Sequence, residues 1–348
     1  MTKINRATFL FCMAALLMLL TSPALAQDGL EDAPAIDFVE ITPQTRNAID
    51  KGLRYLASAQ GNDGSYGASR YGKHVGITAL ACMAFMADGH VPGRGKYGPN
   101  VQAGLNFVLQ NAQETGLIAA DTSHGPMYGH GFATLFLAEV YGMTHEPRTR
   151  EALIKAINLI VNSQNQDGGW RYYPIPYDAD LSVTICQIMA LRAARNAGVS
   201  VPKETIDRAI SYVRRCQNRG DGGFRYMIHG GGSAFPRSAA GVASLYYAGV
   251  YEDDAISRGL AYMMNEKKRL EGGQGSGHYY YGQYYAVQAM YLAGGAYWRA
   301  WYPWVRDELI GKQAAGGHWS SGHGDDYATA MALLVMQIPN RLLPIFQR

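Results

Sequence analysis

The sequence predicts an all-α chain, an (α/α)6 toroid of six helical-hairpin repeats, and three observations carry that reading. The first is a motif, Gln-x-x-x-Gly-x-aromatic, that returns as Gln60–Gly64–Tyr66, Gln164–Gly168–Trp170 and Gln313–Gly317–Trp319. A looser copy, Gln217–Gly222–Phe224, carries one extra residue. Successive copies lie 104, 53 and 96 residues apart, a period of about 50 with degenerate units near Gln110 and Gly272-Gly273. Such a period marks an array whose units cannot each bury an apolar face alone. The second observation is that amphipathic stripes alternate with segments that are apolar on every side. The third is that neither end carries the polar cap that an open superhelical stack, the competing topology, would require.

The amphipathic stripes predict an outer ring. Thr42 caps the first helix, Pro43 takes its first position, and Ile49, Leu53 and Leu56 form its buried stripe up to Gln60. Further outer helices are expected from near Val101, Arg150, Thr205, Asp254 and Trp304. Glycines after the glutamines end these helices, since glycine accepts the positive φ of a C-terminal cap. Asp63, Asp167 and Asp221 in those turns are expected to bond local amides. The inner ring is expected at residues 75–86, 132–141, 181–194, 239–247, 284–292 and 327–336, all rich in small residues that allow close packing. Cys82 and Cys186 read as buried apolar residues.

Residues 1–26 read as a cleaved secretory signal. Lys3 and Arg6 precede an apolar run, and Ala24-Leu25-Ala26 forms a small-residue cleavage site before Gln27. Residues 27–41 are an N-terminal extension, 42–340 the toroid and 341–348 a C-terminal tail. A secreted or periplasmic protein is the expectation. Removing the signal takes the formal net charge from +3 to +1, and a balance so near neutral argues against nucleic acid as a partner.

Candidate functional residues emerge where the inner helices begin. Aligned on their small-residue cores, they start with His74, His130, Asp180, Arg237, Gln283 and Asp325. In a closed ring these starts converge at one end of a central cavity. Two readings stand: a ligand or catalytic site, and helix capping, which suits the two aspartates best. Asp178 and Asp326 add acidic character. Tyr281, Tyr284 and Tyr327, with Tyr128, Tyr172, Tyr173 and Tyr177, offer flat apolar faces with a hydroxyl. A metal site built from His318, His323 and Asp325 is a weaker alternative. The glycine-rich segments 229–232 and 272–277 lack the preceding strand that a nucleotide fold needs.

The repeated Gln-x-x-x-Gly-x-aromatic motif between alternating helices resembles that of the prenyltransferase and squalene-cyclase repeat superfamily, from about Thr42 to Gln337. The resemblance implies an (α/α)6 toroid in which the glutamines and aromatics reinforce the barrel. It also implies, for the cyclases, an Asp-x-Asp-Asp acid whose middle residue protonates the substrate. Here that stretch reads Asp178-Ala179-Asp180-Leu181, which keeps the acid at Asp180 and lacks its acidic neighbour. The zinc positions of protein prenyltransferases fall on Tyr281, Gln283 and Ala328, so neither zinc nor another cofactor is expected. Three functions follow as expectations. One is a toroid binding a hydrophobic, isoprenoid-like ligand with acid chemistry at Asp180, the second a non-catalytic scaffold, the third a secreted glycan lyase or hydrolase. The last would use Asp180 with Asp325, His130 or Arg237. Peripheral membrane contact is left open as a further partner.

Overall fold

The computed structural model describes residues 41–67, 71–120 and 125–347, so the expected signal segment and residues 27–40 of the extension lie outside the described residues. Among the described residues twelve α-helices run in order: α1 Pro43–Ala59, α2 Val75–Met86, α3 Gly98–Gln110, α4 Met127–Thr144, α5 Pro147–Asn162, α6 Leu181–Asn196, α7 Lys203–Cys216, α8 Phe235–Tyr247, α9 Asp254–Glu271, α10 Tyr279–Ala293, α11 Gly295–Lys312 and α12 Asp325–Met336. Among the described residues β-structure is confined to isolated bridges. The alternation predicted from the sequence is present throughout. Every residue of α2 is buried, whereas α7 buries only one stripe, Thr205, Ile206, Ala209, Tyr212, Val213 and Cys216.

The even-numbered helices pack in sequence, α2 on α4, α4 on α6, α6 on α8, α8 on α10 and α10 on α12, and α12 packs back on α2. The odd-numbered helices cover them, and α11 meets α1. The inner ring is therefore closed, as the absence of polar end caps predicts. One boundary differs by more than the few residues seen at the others. The last outer helix begins at Gly295 rather than near Trp304, with Pro303 inside it, because a single glycine at positive φ, Gly294, suffices to separate it from α10.

A belt of glutamine side chains ties the outer ring together. The Gln164 Nε2 donates to the carbonyl of Gly168 in its own turn (2.8 Å) and to that of Thr205 in the first turn of the next outer helix (2.9 Å). Gln60 bonds Gly64 and Asn100, Gln217 bonds Gly222 and Ala255, and Gln313 bonds Gly317 and Ala48 in the same manner. The last of these closes the circle, joining the final repeat to the first. In the three strict copies the motif aromatic adds two bonds. The Trp170 indole donates to Ile160 on its outer helix (2.7 Å), and its amide donates to the Thr184 hydroxyl on its inner helix (3.1 Å). Tyr66 with Thr78 and Trp319 with Thr329 repeat this pattern, and Phe224 with Ser238 keeps the amide half of it. Glycine is required where the turn meets the next helix: Gly168 has φ +98°, and a Cβ there would lie 2.2 Å from the Arg208 carbonyl oxygen.

Other expectations resolve in detail. Asp63 and Asp221 accept local amides, from Ser65 (3.2 Å) and Gly223 (2.9 Å). Asp167 instead pairs with Arg215 across to the next outer helix, and Asn165 takes the local amide of Gly169. Cys82, Cys186 and Cys216 are free and buried. The tail does not stand off from the toroid. A 3₁₀ turn at Pro344–Phe346 packs on α4 and α6, with Leu343, Ile345 and Phe346 buried, and the Ile345 amide donates to the buried Glu139 carboxyl (3.2 Å). Among the described residues no helix is long and apolar enough to cross a membrane.

Candidate functional site

The inner helices share one starting end. A Cβ on Gly76, at the start of α2, would lie 2.8 Å from the Cα of Gly129 near the start of α4, and Gly282 of α10 abuts Phe235 and Pro236 of α8. About one and a half turns in, aromatic rings meet across the axis. Phe132 of α4 and Tyr284 of α10 face edge to plane with centroids 6.1 Å apart. Tyr281 of α10 donates its hydroxyl to the Ser182 carbonyl at the start of α6 (2.9 Å), and the Tyr285 hydroxyl lies 3.4 Å from the Cys186 sulfur. Burial deepens in the same direction. Tyr71, His74, Tyr128 and Tyr327 are half-buried at the helix starts, whereas Tyr284 is 1% exposed. The result is a mouth over an aromatic floor at one end of the ring.

Asp180 stands at the edge of this floor. It is the N-cap of α6, fully buried, and its Oδ1 accepts the Val183 amide (2.9 Å). Its Oδ2 is buried without a hydrogen-bond partner, 3.7 Å from the Arg171 Nε, which is itself unpartnered. Burial pushes the Asp180 carboxyl up to about 6, against the opposing pull of the Val183 amide, the Tyr226 hydroxyl and Arg171. Arg171 also pairs with Asp178, which holds the guanidinium beside Asp180. Tyr172 and Tyr226 complete the wall with their hydroxyls 2.5 Å apart, and the Tyr172 ring lies 6.1 Å from that of Tyr128. A carboxylic acid with a free oxygen, protonated in part near neutrality and set among aromatic rings, is equipped to donate a proton.

The other sequence-predicted residues separate into distinct groups. His74 caps α2, its Nδ1 accepting the amides of Gly76 (3.1 Å) and Ile77 (3.3 Å). A histidine can cap in this way when that nitrogen is unprotonated. His130 is not the counterpart of His74. Its Nδ1 accepts the Ile118 amide (3.1 Å), the place taken by the Thr78, Thr184, Ser238 and Thr329 hydroxyls in other repeats. The alignment of the second inner helix therefore shifts by one turn, and burial lowers the His130 imidazole to about 4, keeping it neutral. Arg237 donates to the Gly232 carbonyl (3.1 Å), and Gln283 is buried and accepts the Trp301 indole (3.2 Å).

Asp325 and Asp326 belong to the seam between the last and first repeats. Asp326 is buried, accepting the Tyr55 hydroxyl (3.3 Å) and the Gly67 amide (3.2 Å). Asp325 is half-exposed and lies 3.6 Å from the His318 Nε2. His323 is elsewhere: it stacks on His278 with Nε2 3.3 Å from the His278 Nδ1, its own Nδ1 is 3.0 Å from the Tyr71 hydroxyl, and its ring meets Tyr327 edge-on. Among the described residues no three His, Cys, Asp or Glu side chains gather as metal ligands. Sequence reasoning missed Arg171, Tyr226 and the His278–His323 pair. A signal for Tyr226 was present, since it stands two residues after Phe224 as Tyr172 stands two after Trp170.

Comparisons with known proteins agree on the fold. No family model matches the chain. A drimenyl diphosphate synthase of Streptomyces showdoensis is 26% identical over 181 residues, which is 52% of this chain but only 32% of that protein's length. An α-1,6-mannanase from Salegentibacter sp. HEL1_6, crystallised with α-1,6-mannotriose, superposes with a TM-score of 0.64 at 9% identity, covering 86% of this chain and 99% of the mannanase. Cellobiose 2-epimerase from Bacillus thermoamylovorans B4167 gives 0.64 at 13% identity, with 84% and 98% covered. A type II terpene cyclase from Scytonema gives 0.59 at 14%, with 87% and 100% covered. The chain shares the helical toroid of terpene cyclases and of glycan-processing enzymes alike, and at these identities the likeness concerns the fold.

Proposed function

We propose that the protein binds a hydrophobic, isoprenoid-like ligand in the mouth over the aromatic floor and that Asp180 serves as its proton donor. The observation that carries this reading is the Asp180 carboxyl itself, buried, raised to about 6, and with Oδ2 free of any hydrogen bond. Burial of a carboxyl without a partner for one oxygen destabilises the fold, and such strain is concentrated at functional sites. Tyr128, Tyr281, Tyr284 and Tyr327 supply faces that take apolar chains and stabilise a developing cation. The partial sequence match to a drimenyl diphosphate synthase supports the ligand class.

A second reading, a glycan-active toroid, is favoured by one feature: the His278–His323 pair at the mouth beside Tyr71 and Tyr327 offers a proton acceptor at a site shallow enough for a sugar. Incubation with lipid extract and with neutral and acidic polysaccharides, each followed by mass spectrometry, separates the readings. Lipid converted by the parent protein but left unconverted by Asp180→Asn supports acid chemistry at Asp180. Lipid retained equally by both proteins reduces the role to binding. Glycan shortening or isomerisation replaces the first reading with the second.

A further inference from the structure

Outside the mouth, the fourth repeat carries a groove with no counterpart in the structural role of the belt. It encloses about 740 Å³ and is lined by Arg214, Arg215, Arg219, Arg225 and His229, with Ser211 and Asn218 among its polar neighbours. That volume lies within the range of small-molecule sites.

Its origin is the one-residue insertion in the Gln217 copy of the motif. In three other copies the turn closes over three residues, with Gly64 bonding Gly61, Gly168 bonding Asn165 and Gly317 bonding Ala314. The inserted copy closes over four, from the Gly222 amide to the Asn218 carbonyl (2.9 Å), and the widened turn presents Arg219 at the surface. The Gln217 side chain still makes both belt bonds, so the insertion leaves the reinforcement intact.

The charges in the groove are not balanced. Arg214 pairs with Asp253 and Arg215 with Asp167, and the one carboxylate in the wall, Asp207, is held by Lys203. Among the described residues Arg219 and Arg225 have no carboxylate partner. Arg225 donates only to main-chain carbonyls, at Gln217 (3.2 Å) and Arg215 (3.5 Å), and its Nε is buried without a partner. A buried guanidinium N–H left unpaired is costly, and a ligand oxygen would relieve it.

We infer that this groove binds a small multivalent anion bearing two or more phosphate or carboxylate groups, held by Arg219 and Arg225 with His229 at the rim. Guanidinium forks match both groups in bidentate geometry. The site is independent of the Asp180 reading and stands or falls without it. Calorimetric titration of the whole protein with inorganic pyrophosphate, and separately with trigalacturonate, tests it at low and at raised salt. Binding of either, weakening with salt and falling about tenfold in Arg219→Glu, is the expected result. Arg219 is exposed, so that variant keeps its fold, and unchanged circular dichroism and melting will verify this. Arg225→Gln should weaken binding further. Pyrophosphate alone would assign a phosphate-bearing ligand and trigalacturonate alone an acidic sugar. Binding of neither anion, or binding indifferent to Arg219→Glu, overturns the proposal.

Discussion

The glutamine belt and the mouth of the inner ring are built from the same repeats, yet they treat polar groups in opposite ways. In the belt both hydrogens of each motif glutamine amide are used, one within its own turn and one on the next outer helix. At the mouth, equivalent stretches leave the Asp180 Oδ2, the Arg171 Nε and the Gln283 Nε2 buried without partners. A repeat protein is stabilised by terms that recur in every unit, so belt residues can repeat without individuality. Chemistry needs one asymmetric place. The toroid offers such a place at the starts of the inner helices, where the side chains differ from repeat to repeat.

The sharpest way to break the belt is Trp170→Ala. The indole is fully buried, so the loss combines transfer and cavity terms with a lost bond to the Ile160 carbonyl, which keeps only the Ser163 hydroxyl. About 3–5 kcal/mol should disappear from the unfolding free energy measured in denaturant. Gln164→Leu is the next test. It keeps bulk but removes both donors, leaving the Gly168 carbonyl unpaired and the Thr205 carbonyl with its helical bond alone, at about 2–3 kcal/mol. Gln313→Leu should behave alike, because its partner Ala48 makes the ring closure a belt contact like any other. A much smaller loss there would mean that the ring is held shut by the inner helices alone.

At the mouth the expected sign reverses. Asp180 has a folded value raised from 3.8 to about 6, so its contribution is fully present below 3.8 and is lost as pH rises through about 6. A shift of that size corresponds to about 3 kcal/mol. Asp180→Asn retains an acceptor for the Val183 amide and has no proton to lose. The variant should therefore exceed the parent in stability at pH 8 by about 2–3 kcal/mol, converge with it near pH 4, and have no acid chemistry. His130, lowered to about 4, contributes the opposite slope in both proteins, so the difference between their stability–pH curves isolates Asp180. A variant less stable than the parent at pH 8 would place Asp180 with the belt.

How much of this the sequence discloses follows from the same division. The belt is legible because its physics is local: a glutamine, a glycine at positive φ and an aromatic recur at fixed offsets, and their bonds stay within one hairpin and its neighbour. All six inner helices were legible from their all-round apolarity to within about five residues at either end, as was closure. The mouth was less so. Aligning helices on small residues put His130 opposite His74, when its actual equivalence is to Thr78, because an imidazole Nδ1 and a threonine hydroxyl serve the same amide. Asp180 could be singled out by its neighbour Asp178, but its pairing with Arg171 and Tyr226 joins two repeats, which a single-repeat pattern does not encode. The aromatic floor likewise depends on α4 and α10 facing each other across the axis, a consequence of closure rather than of either helix.

The smallest effect concerns His74, and it decides on which side of the division that residue falls. Its Nδ1 caps α2 through two amides, a belt-like service, while its ring lies 5.7 Å from Tyr71 at the mouth. His74→Ala removes the cap and should lower stability by about 1 kcal/mol. His74→Asn supplies a better capping oxygen and should restore it within about 0.5 kcal/mol. Ligand retention gives the second readout. If His74 only caps, retention by His74→Asn should equal that of the parent. If retention falls in both variants while only alanine melts early, His74 contacts the ligand, and the mouth extends from Asp180 to the start of α2.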